Sequence, residues 1–468
     1  MTPPTFAHSA RRIAALAWPM FVGQVAVLGF STVDTVLIAR HSALDLAALA
    51  IGAAAYISVF IGFMGVVMAL GPIAGQLYGA RRLLDAGHAF QQTVWLALVL
   101  SVAGGGLLLF PEPFLELSHA TPEVASRARG YLAGVAFALP PALLFTAYRA
   151  FNVAVSRPKA VMALQVGALV VKVPLTALFV FGLDVATPLG HLHVPDWGAP
   201  GCGAATAIVM TAQALAAAVV LRTDRFYAPF GLQGRFARPD RAGFAALLRL
   251  GVPMGLSMLV EVTGFTFMAF FVARLGATPV AGHQIAVNMV SLMYMLPLAL
   301  ANAAGTLVAQ RIGAAEPGAA RRVGWHGVLI GAGAGAAVGA VVFGLRHALV
   351  RAYTGDAAIV AAALPLLAWV ALFHFADAIG AVTSFVLRAY RIVNAPLVIS
   401  AIAIWGVGLA GGYVLAFDVT GAGPQGLRGA QGFWSAATLG LVVAAVLLLS
   451  LLAWTDRHRR ASLRVAPA

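Results

Sequence analysis

The chain has 468 residues, 61% of them hydrophobic and only 10% charged, with a mean hydropathy of +0.91. Soluble domains carry about 25% charged residues, so the composition excludes a soluble protein and gives an integral membrane one. The net charge of +14 would suit nucleic acid, but its placement assigns it to loops beside a lipid surface and excludes that partner.

Twelve apolar segments follow in chain order by the hydropathy criterion. They lie at 12–39, 46–70, 88–110, 124–151, 160–183, 200–221, 246–273, 279–309, 323–345, 357–388, 394–417 and 431–454. Each is about 20 residues or longer, the length of a spanning helix and unlike the ~10-residue alternating strands of a membrane barrel. The first segment follows a basic patch, as in a signal peptide, but no convincing cleavage site follows it and it is read as the first helix. Short polar or Pro/Gly-rich joints separate the segments, such as GARRLLDAG at 79–87 and SRPKA at 156–160. Cys202 is the single cysteine, so no internal disulfide forms.

With both termini in the cytoplasm, 22 Lys and Arg residues fall on the inner side and 7 on the outer, with Lys172 inside a span. The positive-inside rule selects that orientation. Arg149 and Arg388 are counted among the inner loop charges. His191 and His193 fall in an exterior loop rich in Pro and Gly, and metal binding there is not expected.

A shift of 234, half the length, aligns two stretches without gaps. Pro19-Met20 falls on Pro253-Met254, Ala39-Arg40 on Ala273-Arg274, Gly71 on Gly305, Gln76 on Gln310 and Gly79-Ala80 on Gly313-Ala314. Six spans per half is an even number, so the halves are parallel repeats. The expected fold class is all-α integral membrane, with twelve transmembrane helices in two pseudo-symmetric six-helix lobes. Residues 1–225 form the N-terminal lobe, 226–242 a cytoplasmic connector and 243–468 the C-terminal lobe. Alternating access is the mechanical reading of such a repeat.

Three acids lie deep in spans, Asp34, Glu261 and Asp377, and Lys172 is read as the one deep base. A charge at membrane depth costs about 2.5–3.5 kcal/mol on insertion scales, so such groups face a bundle interior and act there. Helical spacing puts Phe373, Asp377, Gly380 and Ser384 on one face, with the Phe373 ring available to favour a cation. Gln284, Asn288, Ser291, Met295 and Asn302 form a polar stripe in the eighth span, whose counterparts 234 residues earlier are apolar. The stripe either serves a site or bonds helices together. Asp34 is the only deep acid in the half that holds Lys172, so an Asp34–Lys172 contact is expected. Thr176 lies one turn beyond Lys172. The pair is either a switch or a structural ion pair. No diacid motif for Mg²⁺, no Ser/His/Asp set and no HExxH is present, which weighs against an enzyme.

These residues resemble the multidrug and toxic compound extrusion (MATE) transporters, NorM-like branch, over essentially the whole chain. The segments that carry the resemblance are WPMFVGQVAVLGFSTVDTVLIAR, GPIAGQLYGARR, GCGAATAIV, PMGLSMLVEVTGF, VAGHQIAVNMVSLMYMLPLALANA and FADAIGAVTSFVLRAYR. The resemblance implies a V of two six-helix lobes that exports cationic, amphipathic drugs in exchange for Na⁺ or H⁺. It implies that Glu261 and Asp377 form the second-lobe cation site, holding Na⁺ if that is the ion. It matches Asp34 to a first-lobe acid and Thr206 to a polar position near it. One departure stands out. The family's Asn-x-Pro-x-Asn in the fifth helix is here Lys172, Val173, Pro174, Leu175 and Thr176. An ammonium repels Na⁺, so the first lobe is expected to work as a protonation switch and not to hold Na⁺.

The expectation is a cation-coupled multidrug exporter of the bacterial inner membrane, monomeric, with both termini cytoplasmic. It has no cofactor beyond a coupling H⁺ or Na⁺, and its partners are small cationic drugs and the bilayer. A flippase for lipid-linked saccharides is the alternative. It would want a basic cavity, whereas the deep charges read as three acids against one base. A membrane enzyme or scaffold is the remaining class.

Overall fold

The computed structural model describes residues 5–118, 120–187, 190–421 and 424–465. Among them are twelve helices long and apolar enough to cross a membrane: α1 (Phe6–His41), α2 (Ala43–Gly79), α3 (Leu83–Leu109), α4 (Pro122–Ala154), α5 (Pro158–Phe181), α6 (Ala199–Thr223), α7 (Arg241–Ala273), α8 (Ala277–Gly313), α9 (Pro317–Tyr353), α10 (Ala357–Ala389), α11 (Asn394–Ala416) and α12 (Ala430–His458). They correspond to the twelve apolar segments in order, with ends that differ by a few residues. Only helices satisfy every backbone group within one segment in lipid.

Two features differ from the sequence reading. The loop holding His191 and His193 is a β-hairpin, β1 (Leu183–Thr187) paired antiparallel with β2 (Gly190–Val194). His193 faces Asp184 across it at 3.7 Å, and the side chain of His191 lies outside the described ones. Within α11, Ile402–Ala410 is wound as a π-helix.

The chain packs as two compact units, Val22–Gly255 and Leu256–Ala468 with Met1–Phe21. Packing therefore places 1–21 with the second half and 241–255 with the first, where the sequence reading divides the chain at the connector 226–242. The connector is not a free linker. Gln92 donates to Arg238 O at 2.9 Å and accepts from Asp240 N at 2.7 Å, Gln91 accepts from Ala237 N, and Trp95 donates to Ala237 O. Three side chains of α3 thus hold it.

The core of the Val22–Gly255 unit is built round α4, whose Leu132, Val135, Leu139, Leu143, Ala147 and Phe151 recur at helical spacing and are buried. In the other unit, Leu366, Val370 and Phe373 of α10 meet Ile285, Met289 and Met293 of α8 and Trp434 of α12. Small residues let membrane helices approach closely. On α9, Gly331, Gly335 and Gly339 repeat every fourth residue against α10. A Cβ on them would stand 2.6 Å from Val382, 2.7 Å from Ala378 and 2.8 Å from Ala371 O. That stripe fixes the helix that carries Asp377.

Candidate functional site

Two charged clusters lie at span depth, one in each unit. In the Leu256–Ala468 unit, Glu261 on α7 and Asp377 on α10 are near enough for the charge of one to act on the other. Both are half-buried despite their depth, so each reaches accessible space from inside the helix bundle. Among the described residues no donor hydrogen-bonds to either carboxylate. Two neighbouring acids without donors form a site that a cation neutralises.

Three residues around this pair escape the sequence reading. Tyr294 on α8 lies within the electrostatic reach of Glu261, Asp377 and Arg388. Arg388 on α10 is 7% exposed and stands near Glu261. It was read as a solvated loop charge, because hydropathy puts it at a span end and the positive-inside count claims it. Trp405, in the π-helical turn, donates to Val260 O at 3.2 Å, beside Glu261. Gly264 permits that approach, since a Cβ there would lie 2.5 Å from Ile404. A polar indole next to a lone acid is the only sequence signal for this contact.

Phe373 corrects an expectation. Its ring is 2% exposed and packs edge-on against Phe265 at 5.9 Å and Trp434 at 5.6 Å. It is a core residue and offers no free face to a cation. Residues four apart on a helix differ by about 40° in direction, enough to turn Phe373 into the core while Asp377 stays accessible. Gln284 and Asn288 are exposed and make no hydrogen bond among the described residues, so they do not bond helices together here. Ser291 and Asn302 donate to carbonyls one turn back.

In the Val22–Gly255 unit, Lys172 is fully buried and its Nζ lies 2.9 Å from Asp34 Oδ1. The same ammonium donates to Thr206 Oγ1 at 2.8 Å, and Thr206 donates to Cys202 O at 2.8 Å. The Phe30 ring lies 5.5 Å from Nζ. Cys202 and Thr176 flank the carboxylate, and Tyr131 is close to it. Asp34, Lys172, Thr176 and Thr206 therefore form one cluster. Its ammonium occupies the space beside Asp34 where a metal ion would need oxygens.

Lys172 is not the only deep base. Arg388 is buried, and Arg149, also read as a loop charge, lies within α4, where it donates to the sulfurs of Met64 and Met68 at 3.6 and 3.9 Å. The tally of three acids against one base does not hold. Exposure separates the signs instead, because Glu261 and Asp377 are accessible while Lys172 and Arg388 are not.

The MatE family model matches residues 19–178 and 253–414, two copies that begin at the same offset as the internal repeat. The chain belongs to the MATE family. It is 39% identical to the probable multidrug resistance protein NorM of Aromatoleum aromaticum over 94% of this chain and 92% of that one. It is 31% identical to the multidrug resistance protein PmpM of Pseudomonas aeruginosa over 96% of this chain and 92% of that one. Its fold matches the eukaryotic MATE transporter AtDTX14 with a TM-score of 0.85 at 20% identity, over 98% of this chain and 99% of that one. The Vibrio cholerae MATE transporter VcmN in its bent form matches with a TM-score of 0.83 at 18% identity, over 97% and 98%. The chain is thus a multi-pass membrane protein of the MATE fold with bacterial relatives, which are transporters and not enzymes.

Proposed function

We propose that the chain is a secondary active multidrug exporter of the bacterial inner membrane, with both termini cytoplasmic. It moves cationic, amphipathic compounds outward against an inward flow of H⁺ or Na⁺ by alternating access of its two repeats. The observation that carries this reading is the accessible carboxylate pair Glu261 and Asp377, which has no donor of its own and no exposed base beside it. The multidrug resistance names of relatives that span almost the whole chain support the substrate class.

A proton suits the pair better than Na⁺. Na⁺ needs several oxygens, Phe373 supplies none, and the described residues bring no third Asp, Glu, His or Cys to the site. Na⁺ remains the second reading, with Tyr294 and the exposed amides of Gln284 and Asn288 as further oxygens.

Cells with and without the protein, exposed to a fluorescent cationic dye, test the substrate class. The exporter lowers dye accumulation. Unchanged accumulation in cells that carry the protein in the membrane would contradict the proposal and favour the flippase.

A further inference from the structure

Arg388 is not explained by the coupling site as described. It sits on α10 eleven residues after Asp377, which is three turns along the same face. Its guanidinium lies over the Phe385 ring at 4.5 Å, and its buried Nη1 makes no hydrogen bond. A buried donor left unmade costs about 1–3 kcal/mol, more for a charged group. The nearest acid is Glu261, which feels the charge of both Arg388 and Asp377, whereas Asp377 is coupled only to Glu261. Glu261 therefore stands between a second carboxylate and a guanidinium, and Tyr294 is near all three.

The other repeat provides a comparison. Arg149-Ala150-Phe151 near the end of α4 and Arg388-Ala389-Tyr390 near the end of α10 occupy like places. Arg149 rests on two thioethers and no acid pairs with it among the described residues. A guanidinium at this place therefore does not require an acid for the fold, and the charge neighbour of Arg388 is particular to the half with the carboxylate pair.

We propose that Arg388 is the internal counter-cation of the coupling site, to which Glu261 turns when the coupling cation leaves, so that guanidinium and cation compete for one carboxylate. Removing a competitor tightens cation binding and slows cation release. Arg388 is a positioning residue and touches neither drug nor cation. The inference rests on the exporter reading.

The test uses the full chain in proteoliposomes, with efflux of a fluorescent cationic dye followed as the concentration of the driving cation is varied. Arg388→Gln should lower the half-saturating cation concentration about tenfold, the scale of one charge removed at partly buried range, and also lower the maximal rate. Arg388→Lys should restore the wild-type value, and Arg149→Gln should leave it unchanged. In a Glu261→Gln background, Arg388→Gln should shift nothing further. If Arg388→Gln does not fold, Arg388→Lys decides alone: a half-saturating concentration within twofold of wild type supports the charge role, and a loss of cation dependence overturns it. A wild-type half-saturating concentration in a folded Arg388→Gln overturns the inference while leaving the exporter reading intact. A wild-type protein that answers neither a proton nor a Na⁺ gradient overturns both.

Discussion

At the scale of single residues, the Asp34–Lys172 pair makes the sharpest stability prediction. Removing one partner of a buried ion pair leaves an uncompensated charge and costs about 3–5 kcal/mol, whereas replacing both can be neutral. Lys172→Met should destabilise the protein by about that amount in denaturant unfolding from micelles, and Asp34→Asn in the same chain should recover most of it. Additive losses would mean that the 2.9 Å contact has no energetic weight. The same site carries a functional prediction. Lys172→Asn should change the pH or Na⁺ dependence of dye transport, and an unchanged profile would make the pair purely structural. This contact was legible in the sequence because only one acid and one base lie deep in that half. The role of Arg388 was not, since a hydropathy window cannot separate a solvated helix end from a guanidinium folded back beneath aromatic rings. Phe373 misled for a related reason. Spacing gives the face of a residue but not the neighbour awaiting it, and here that neighbour is Trp434.

At the scale of elements, the connector after α6 is held as firmly as a helix. Gln92 makes two hydrogen bonds to it, and Gln92→Ala should cost about 1–3 kcal/mol through the buried groups left unpaired. Limited proteolysis should then cut between 231 and 240 first, and wild-type resistance there would contradict the contact. At the connector's start, Asp224 accepts from the Phe226 amide at 2.9 Å and pairs with Arg157 at 2.6 Å. The amide first, then the guanidinium, hold its carboxyl below the usual carboxylate range. A depressed folded value stabilises above the unfolded one and is lost as pH falls through the depressed value. Wild-type melting temperature should therefore drop more steeply below about pH 4 than that of Asp224→Asn. Equal slopes would show that the contact is not maintained. The number and order of helices were legible because an apolar run of spanning length has one solution in lipid. The π-helical turn of α11 was not, as its Gly- and Ala-rich sequence suits either winding and the contact from Trp405 to α7 accompanies the wider one.

At the scale of the whole molecule, the repeat is symmetric in helices and asymmetric in charge. Both halves share the offset that the sequence shows and the family match repeats, yet one holds its acid on an internal ammonium and the other leaves two acids accessible. Energy coupling therefore belongs to the second half, and Asp34 with Lys172 is a separate device. The most direct measurement is dye efflux from proteoliposomes under an imposed pH gradient or an imposed Na⁺ gradient, with wild type beside Glu261→Ala. One of the two gradients should accelerate wild-type efflux, with Glu261→Ala inserted normally but giving no response to it. A Glu261→Ala protein that answers the gradient as wild type does would contradict the account.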